Sequence, residues 1–429
     1  MAISLSLDLL SLSQQWQLLL ALLPAISLVF LTRRLSNKGL RLPPGPAQAP
    51  ILGNLHQLGQ LPHRSLRDLA WRHGPVMQLQ LGTVPTVVVS SAEAAREVMK
   101  THDEDCCTRP VSPGMKRLSY SLNNVGFAPY GAYWQAMRKF LMVELFGVRH
   151  AKATWHARQH QVEKLMSTLR GLAGEPIVLK EHIFRLADGI IGMLGFGDMY
   201  NSDKFPHHKN LEHVLEEATH RVKPHNGDLV DRLIGLWKDK SDTLSITRDH
   251  VKGIIFGTFI GGSDTASVTI LWAMAELIRK PRLLKKVQNE IRGVVGGNER
   301  VRQDDLAKLG YLKMVVKETL RLHPPATMLL PREAMRDIQI GGYDVPAKTR
   351  IYVNAWAIGR DPASWPDDPE EFKPESTATV EFTLANLLYC FEWALPEGTA
   401  VSMEEEGKLI PLLKRPLVLV PTAYRRPTS

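Results

Sequence analysis

A mainly helical body carrying minor β-sheets, set behind an apolar N-terminal segment, is the fold class this sequence predicts. Three observations carry it. Long stretches space their apolar residues by three and four, as the buried face of a helix requires. Short β-branched runs sit beside Gly and Pro without alternating with helices, so no doubly wound nucleotide-binding sheet is expected. Residues Trp16 to Thr32 read WQLLLALLPAISLVFLT, almost wholly apolar.

Taken in order, that first segment, extended backwards by Leu9 to Leu12, is long enough for a helix to cross a bilayer. Arg33, Arg34, Lys38 and Arg41 follow it, whereas only Asp8 precedes it, which puts the rest of the chain on the cytosolic side. A cleaved signal peptide would need a basic start and a small-residue site before the arginines, and neither is present. Residues 1–34 therefore read as a retained anchor. Residues 35–50 contain Leu42-Pro43-Pro44-Gly45-Pro46, which fixes φ and removes donors, and read as a stiff connector. Residues 51–429 form the body. There, Val76–Gln80 and Thr86–Ser90 predict a hairpin around Gly82. Helices are expected over Ser91–Lys100 with a serine cap, Ala132–Glu144, Trp155–Leu169, Leu179–Leu194, Ile246–Lys280 and Leu312–Leu322. The last of these stops at His323-Pro324-Pro325. Ile338 to Val353, with Gly341-Gly342 inside, predicts a second small sheet, Thr379–Trp393 a further helix, and Leu417–Val420 a strand.

The bulk properties bound the function. A chain of 429 residues, 44% hydrophobic and 23% charged, has the composition of an ordinary globular protein. Its net charge of +9 is scattered without a basic run, which argues against nucleic acid and for an anionic membrane surface or an acidic protein partner. The three cysteines, Cys106, Cys107 and Cys390, show no CxxC spacing and give neither a disulfide framework nor a zinc site. No GxSxG elbow supports a hydrolase.

Four motifs carry chemistry. Glu318 and Arg321, at i and i+3 on a helix, can form a bidentate pair; alone this would be a surface pair, but it sits in ETLRLHPPATMLLPRE. Gly261 and Gly262 interrupt an apolar helix at about 1 kcal/mol each relative to alanine. That cost points either to a close approach or to a local opening, with Asp264 and Thr265 behind it able to hold water and relay protons; a simple helix break is the plain alternative. Trp134 and Arg138, at i and i+4, are pure donors that can face an anion, although such pairs are more often core and rim. Trp365 to Glu375 is a proline-marked loop with one buried-looking aromatic.

In this order, and together with the anchor and the PPGP connector, these motifs resemble the plant endoplasmic-reticulum cytochromes P-450 along nearly the whole chain. The resemblance implies an incomplete cytochrome P-450-like fold. It implies haem b, electrons from an NADPH-dependent flavoprotein reductase, and insertion of one oxygen atom into a small organic molecule. Residue by residue, it gives Glu318 and Arg321 the structural ExxR role. It gives Gly261, Gly262, Asp264 and Thr265 the oxygen-activation stretch, and Trp134, Arg138 and Arg332 the haem propionates. Thr327, Met328, Leu329 and Leu330 fall where such enzymes contact substrate. Several segments are worded like grass enzymes that oxidise aldoximes.

The match fails at two places. The family's Pro-Glu-Arg-Phe element is Pro374-Glu375-Ser376 here, and the loop that carries the thiolate ligand of the iron is missing, so no metal ligand is expected from this chain. Cys106 and Cys107 lie far upstream, and Cys390 lies in an apolar helix resembling the one after the loop. An internal deletion at about Ser376 accounts for this, and a second shortening lies near His220-Arg221-Val222, where the family has a longer helical region that roofs the substrate pocket. The expected consequences are a half-satisfied Glu318–Arg321 pair, bare apolar faces around the missing loop, poor haem binding and marginal folding. Two readings follow: a membrane-anchored haem-thiolate monooxygenase, or a non-catalytic, membrane-tethered remnant of one.

Overall fold

The computed structural model describes residues 39–144, 147, 155–197, 229–239, 246–374, 382–407 and 410–424. The apolar segment read as an anchor, the suspected junction at His220–Val222 and the one at Glu375–Thr377 lie outside these residues.

The chain enters through a hairpin, β1 (Val76–Leu81) and β2 (Val84–Val89), which turns at Gly82 with φ of 61°, as the sequence predicts. Helix α1 (Pro62–His73), which starts on a proline at its first position, packs on this sheet through Leu66 and Ala70. The strands β4 (Arg332–Glu333) and β7 (Arg350–Val353) complete a four-stranded sheet in the order β1-β2-β7-β4. The stretch expected to form one further small sheet therefore divides. β5 (Ile338–Ile340) and β6 (Tyr343–Val345) make a hairpin over Gly341-Gly342, while β7 leaves to pair parallel with β2. Ser91 caps a short helix, Ala92–Arg96, that continues as a π-type turn to Thr101.

The helical body comprises α2 (Ala132–Glu144), α3 (Trp155–Gly171), α4 (Leu179–Phe196), α5 (Leu229–Lys238), α6 (Arg248–Arg279), α7 (Pro281–Val295), α8 (Gly310–Leu322) and α9 (Phe382–Cys390). Helix α6 is the axis. Thr247 caps it in a reciprocal capping box with His250, and its 32 residues are buried in two main runs, Val251–Ile255 and Ser267–Ile278, inside exposed Asp249 and Arg279. Its C-terminal half joins α3, α4, α7, α8 and α9 in the largest core, and its N-terminal half joins α2, α4 and α5 in a second. Among the described residues α6 has the length and apolarity to span a membrane, but half of that stretch is buried inside the body, as befits a core helix.

One expected boundary is wrong. The helix foreseen to run to Trp393 ends at Cys390, and Phe391–Ala394 forms β8, paired with β11 (Val418–Ala423). β11 also pairs with β3 (Ile177–Val178) in front of α4, while β9 (Glu405–Glu406) and β10 (Leu412–Leu413) pair with each other. The aromatic residues Phe391 and Trp393 alternate with exposed Glu392, a period of two that favours a strand.

Candidate functional site

Helix α8 buries Glu318 completely, with Arg321 one turn on. The pair is bidentate: Arg321 Nε donates to Glu318 Oε2 at 2.8 Å and Nη2 to Oε1 at 2.7 Å. The other donors leave the helix. Nη1 reaches the carbonyls of Gly359 (2.6 Å) and Pro369 (2.7 Å), and Nη2 that of Glu371 (2.8 Å). All five guanidinium N–H groups are thereby used. The backbone N–H of Lys373 adds a 2.6 Å bond to Glu318 Oε1, and the Trp365 ring lies 4.8 Å from the guanidinium carbon. The expectation of a half-satisfied pair is therefore corrected. Main-chain carbonyls of the proline-marked loop take the place foreseen for a third side chain, because prolines at 366, 369 and 374 keep that loop from spending its carbonyls on a helix.

On α6, the two adjacent glycines have different reasons. A Cβ on Gly262 would lie 2.6 Å from Ile191 Cδ1 on α4, so this is the close approach. A Cβ on Gly261 would meet nothing within 4 Å, and Gly261 is exposed in the middle of a core helix. The helix is continuous here, which rules out both a break and a local opening. Thr265 lies one turn on and donates to the Gly261 carbonyl at 2.6 Å, while Asp264 is half-buried. Ser263 points away from this face and bonds the buried Asp188 of α4.

A second group of residues gathers positive charge. Arg332, at the start of β4, is buried and pairs with Asp103 at 2.7 Å. Arg109 donates to the carbonyls of Leu330 (3.2 Å) and Pro331 (3.1 Å). Burial, and then the charges of Arg332 and Arg138, push its pKa down to about 10. Arg138 on α2 stacks at 5.2 Å over the Trp134 ring. The Trp134 N–H is not free for an anion as expected, since it donates to the Val125 carbonyl at 3.0 Å. Arg109 went unassigned in the sequence; the signal that could have found it is its place in the same CCTRP run as the cysteines.

The four residues of the expected substrate segment diverge. Thr327 is buried and its carbonyl accepts from the backbone N–H of Trp356. Met328 packs on the α1–β1 core and Leu329 on the β5–β7 core, with φ of 48° at Leu329. Leu330 is open to solvent. All three thiols are accounted for. Cys106 is fully buried and donates to the His102 and Val98 carbonyls at 3.0 and 3.4 Å. Burial pushes Cys106, Cys107 and Cys390 all above the ordinary thiol value. Among the described residues, no cluster of His, Cys, Asp and Glu is arranged to hold a metal ion.

The family model of cytochrome P450 matches residues 43–234 and 207–376. A 4-hydroxyphenylacetaldehyde oxime monooxygenase of Sorghum bicolor is 50% identical over 515 aligned positions, covering 97% of each chain. A 2-methylbutanal oxime monooxygenase of Manihot esculenta is 37% identical, covering 97% of this chain and 98% of its own. An alignment longer than the 429 residues present means that the Sorghum relative carries internal segments this chain lacks. In fold, a solved zebrafish cytochrome P450 superposes with a TM-score of 0.74 at 23% identity, over 86% of this chain and all of that one.

Proposed function

The chain belongs to the cytochrome P450 family, and from that premise we propose that its lineage is that of an aldoxime-oxidising monooxygenase of plant specialised metabolism. The carrying observation is the 50% identity to the Sorghum oxime enzyme across nearly all of both chains. The Manihot relative, whose name also specifies an oxime, supports the same substrate class.

Membership implies haem, and the residues present fit it only in part. Arg109, Arg138 and Arg332 offer guanidinium groups for the carboxylates of a porphyrin, and the open face at Gly261 and Thr265 leaves room beside α6. No residue supplies the thiolate, so the set does not fit a thiolate-ligated haem. The positions proposed for the losses, near Arg221 and Ser376, are supported by the family match dividing within 207–234 and stopping at 376. Of the segment proposed to meet substrate, Leu330 is the residue with a surface to offer. An NADPH-dependent reductase as partner and an endoplasmic-reticulum membrane as location follow from the lineage. They are also supported by the apolar Trp16–Thr32 stretch, the arginines behind it and the net charge of +9.

The substrate proposal is tested by splicing the Sorghum relative's corresponding segment in at Ser376 and assaying NADPH-dependent loss of 4-hydroxyphenylacetaldehyde oxime and 2-methylbutanal oxime in microsomes. Conversion of either is expected. A spliced protein that fills with haem and converts neither would refute the substrate class. The second reading, a non-catalytic tethered body, is favoured by the placement of the three thiols.

A further inference from the structure

We propose that this polypeptide, as its sequence stands, folds as a haem-free cytochrome P450 body: it holds no thiolate-ligated iron and does not depend on one for its fold. The first half rests on the cysteines. Cys106 spends its thiol on two backbone carbonyls beneath the sheet, Cys107 adjoins it beside Asp103 and Arg332, and Cys390 closes α9 beside Arg170. A thiol becomes a metal ligand where its thiolate is stabilised, at an open and electropositive position; burial works against that at all three. Residues 375–381, where the ligand loop would lie, contain neither Cys nor His.

The second half rests on two observations that run against the expected marginal folding. The first is the closed ExxR network. Arg321 finds all its acceptors, and Glu318 two partners, within the chain, so the joint between α8 and the 359–373 loop needs no missing residue. The second is the covering of the helices nearest the absent loop. Among the described residues, the exposed large apolar side chains include none on α6, α8 or α9. Leu384, Leu387 and Leu388 of α9 are instead buried against α7 and α3 in the main core, and Gln288 of α7 ties their ends by donating to the Leu388 and Phe391 carbonyls at 3.3 and 3.1 Å. The open face at Gly261 presents backbone and the Thr265 hydroxyl, which donates to the Gly261 carbonyl at 2.6 Å, so no bare apolar surface lies there.

The inference is independent of the substrate class, which the spliced protein tests. It is tested on the full chain purified in detergent, from cells grown with and without added haem precursor. Three quantities are measured: haem per polypeptide by pyridine haemochromogen, the Soret band of the reduced carbon monoxide complex, and thermal unfolding by circular dichroism. The expected result is haem at well under one per ten chains, no thiolate-type Soret band, and a cooperative transition whose midpoint is the same in both preparations. Near-stoichiometric haem with a thiolate-type band overturns the first half. A non-cooperative melt in haem-free protein, or a midpoint that rises by several degrees with haem, overturns the second. Glu318→Gln checks that the transition reports this body, and is expected to lower the midpoint without changing the haem content.

Discussion

Replacing Arg321 with alanine is the sharpest perturbation of the fold. The substitution takes both guanidinium donors from a carboxylate that is fully buried, and strips the carbonyls of Gly359, Pro369 and Glu371 of their partner. Breaking a buried ion pair by removing one member costs about 3–5 kcal/mol, because the remaining charge is left in a poor medium. The orphaned carbonyls push the value towards the upper end, since each buried acceptor left bare adds roughly 1 kcal/mol or more. At roughly 2 °C per kcal/mol for a large domain, the melting midpoint should fall by about 6–10 °C. Thermal and urea unfolding of the detergent-solubilised full chain, followed by circular dichroism, read this directly. Arg321→Lys should recover less than half of the loss, since an ammonium keeps the charge but cannot span acceptors on both α8 and the loop. A midpoint for Arg321→Ala within about 2 °C of the parent, roughly 1 kcal/mol, would refute the view that this network clasps the loop to α8.

The glycines of α6 give a paired test: Gly261→Ala should stabilise by up to about 1 kcal/mol through helix propensity, whereas Gly262→Val should cost about 1–3 kcal/mol by overpacking Ile191, both read from urea midpoints. Glu405 supports an acid limb. Burial alone would raise its pKa, but the His63 hydrogen bond and the charges of Arg64, His63 and Arg360 hold it at about 2. The depressed value contributes stability above the unfolded-state pKa near 4.5, and that stability is lost as pH falls from about 4.5 towards 2. Glu405→Gln should remove on the order of 3 kcal/mol at pH 7 and flatten the dependence across that window. Ile51 is a β-branched residue at φ of 65° and 76% exposed, so Ile51→Asn should stabilise by roughly 1 kcal/mol by relieving the left-handed strain.

Local periodicity carried most of the architecture. The bounds of Ala132–Glu144 and the hairpin at Gly82 were readable because a single face or a single turn decides them. Pairings between distant segments were not: nothing in Arg350–Val353 says that it will lie parallel to β2 rather than close the neighbouring hairpin. The strand at Phe391–Ala394 was hidden by an apolar run that suits either period until its partner β11 is known. At the site, the identity of the Glu318–Arg321 pair was legible, but its acceptors were not, because main-chain carbonyls leave no trace in residue type. The same holds for Trp134, whose donor is taken by a carbonyl nine residues back in the chain.

The clasp at Arg321 has an implication for how this region can change. Its loop-side acceptors are the carbonyls of Gly359, Pro369 and Glu371, atoms that every amino acid possesses, so exchanging side chains along the loop leaves them in place. Drift in residue identity is absorbed, and sensitivity moves to path and length. The prolines that hold the loop out of a helix are one exception, and Gly359 is another: an added Cβ there would sit 2.3 Å from the Arg321 carbonyl oxygen, a backbone atom with nowhere to go. A joint of this kind tolerates misspelling and fails on insertion, which is why the loop can hold its station immediately ahead of Ser376, where the family match stops.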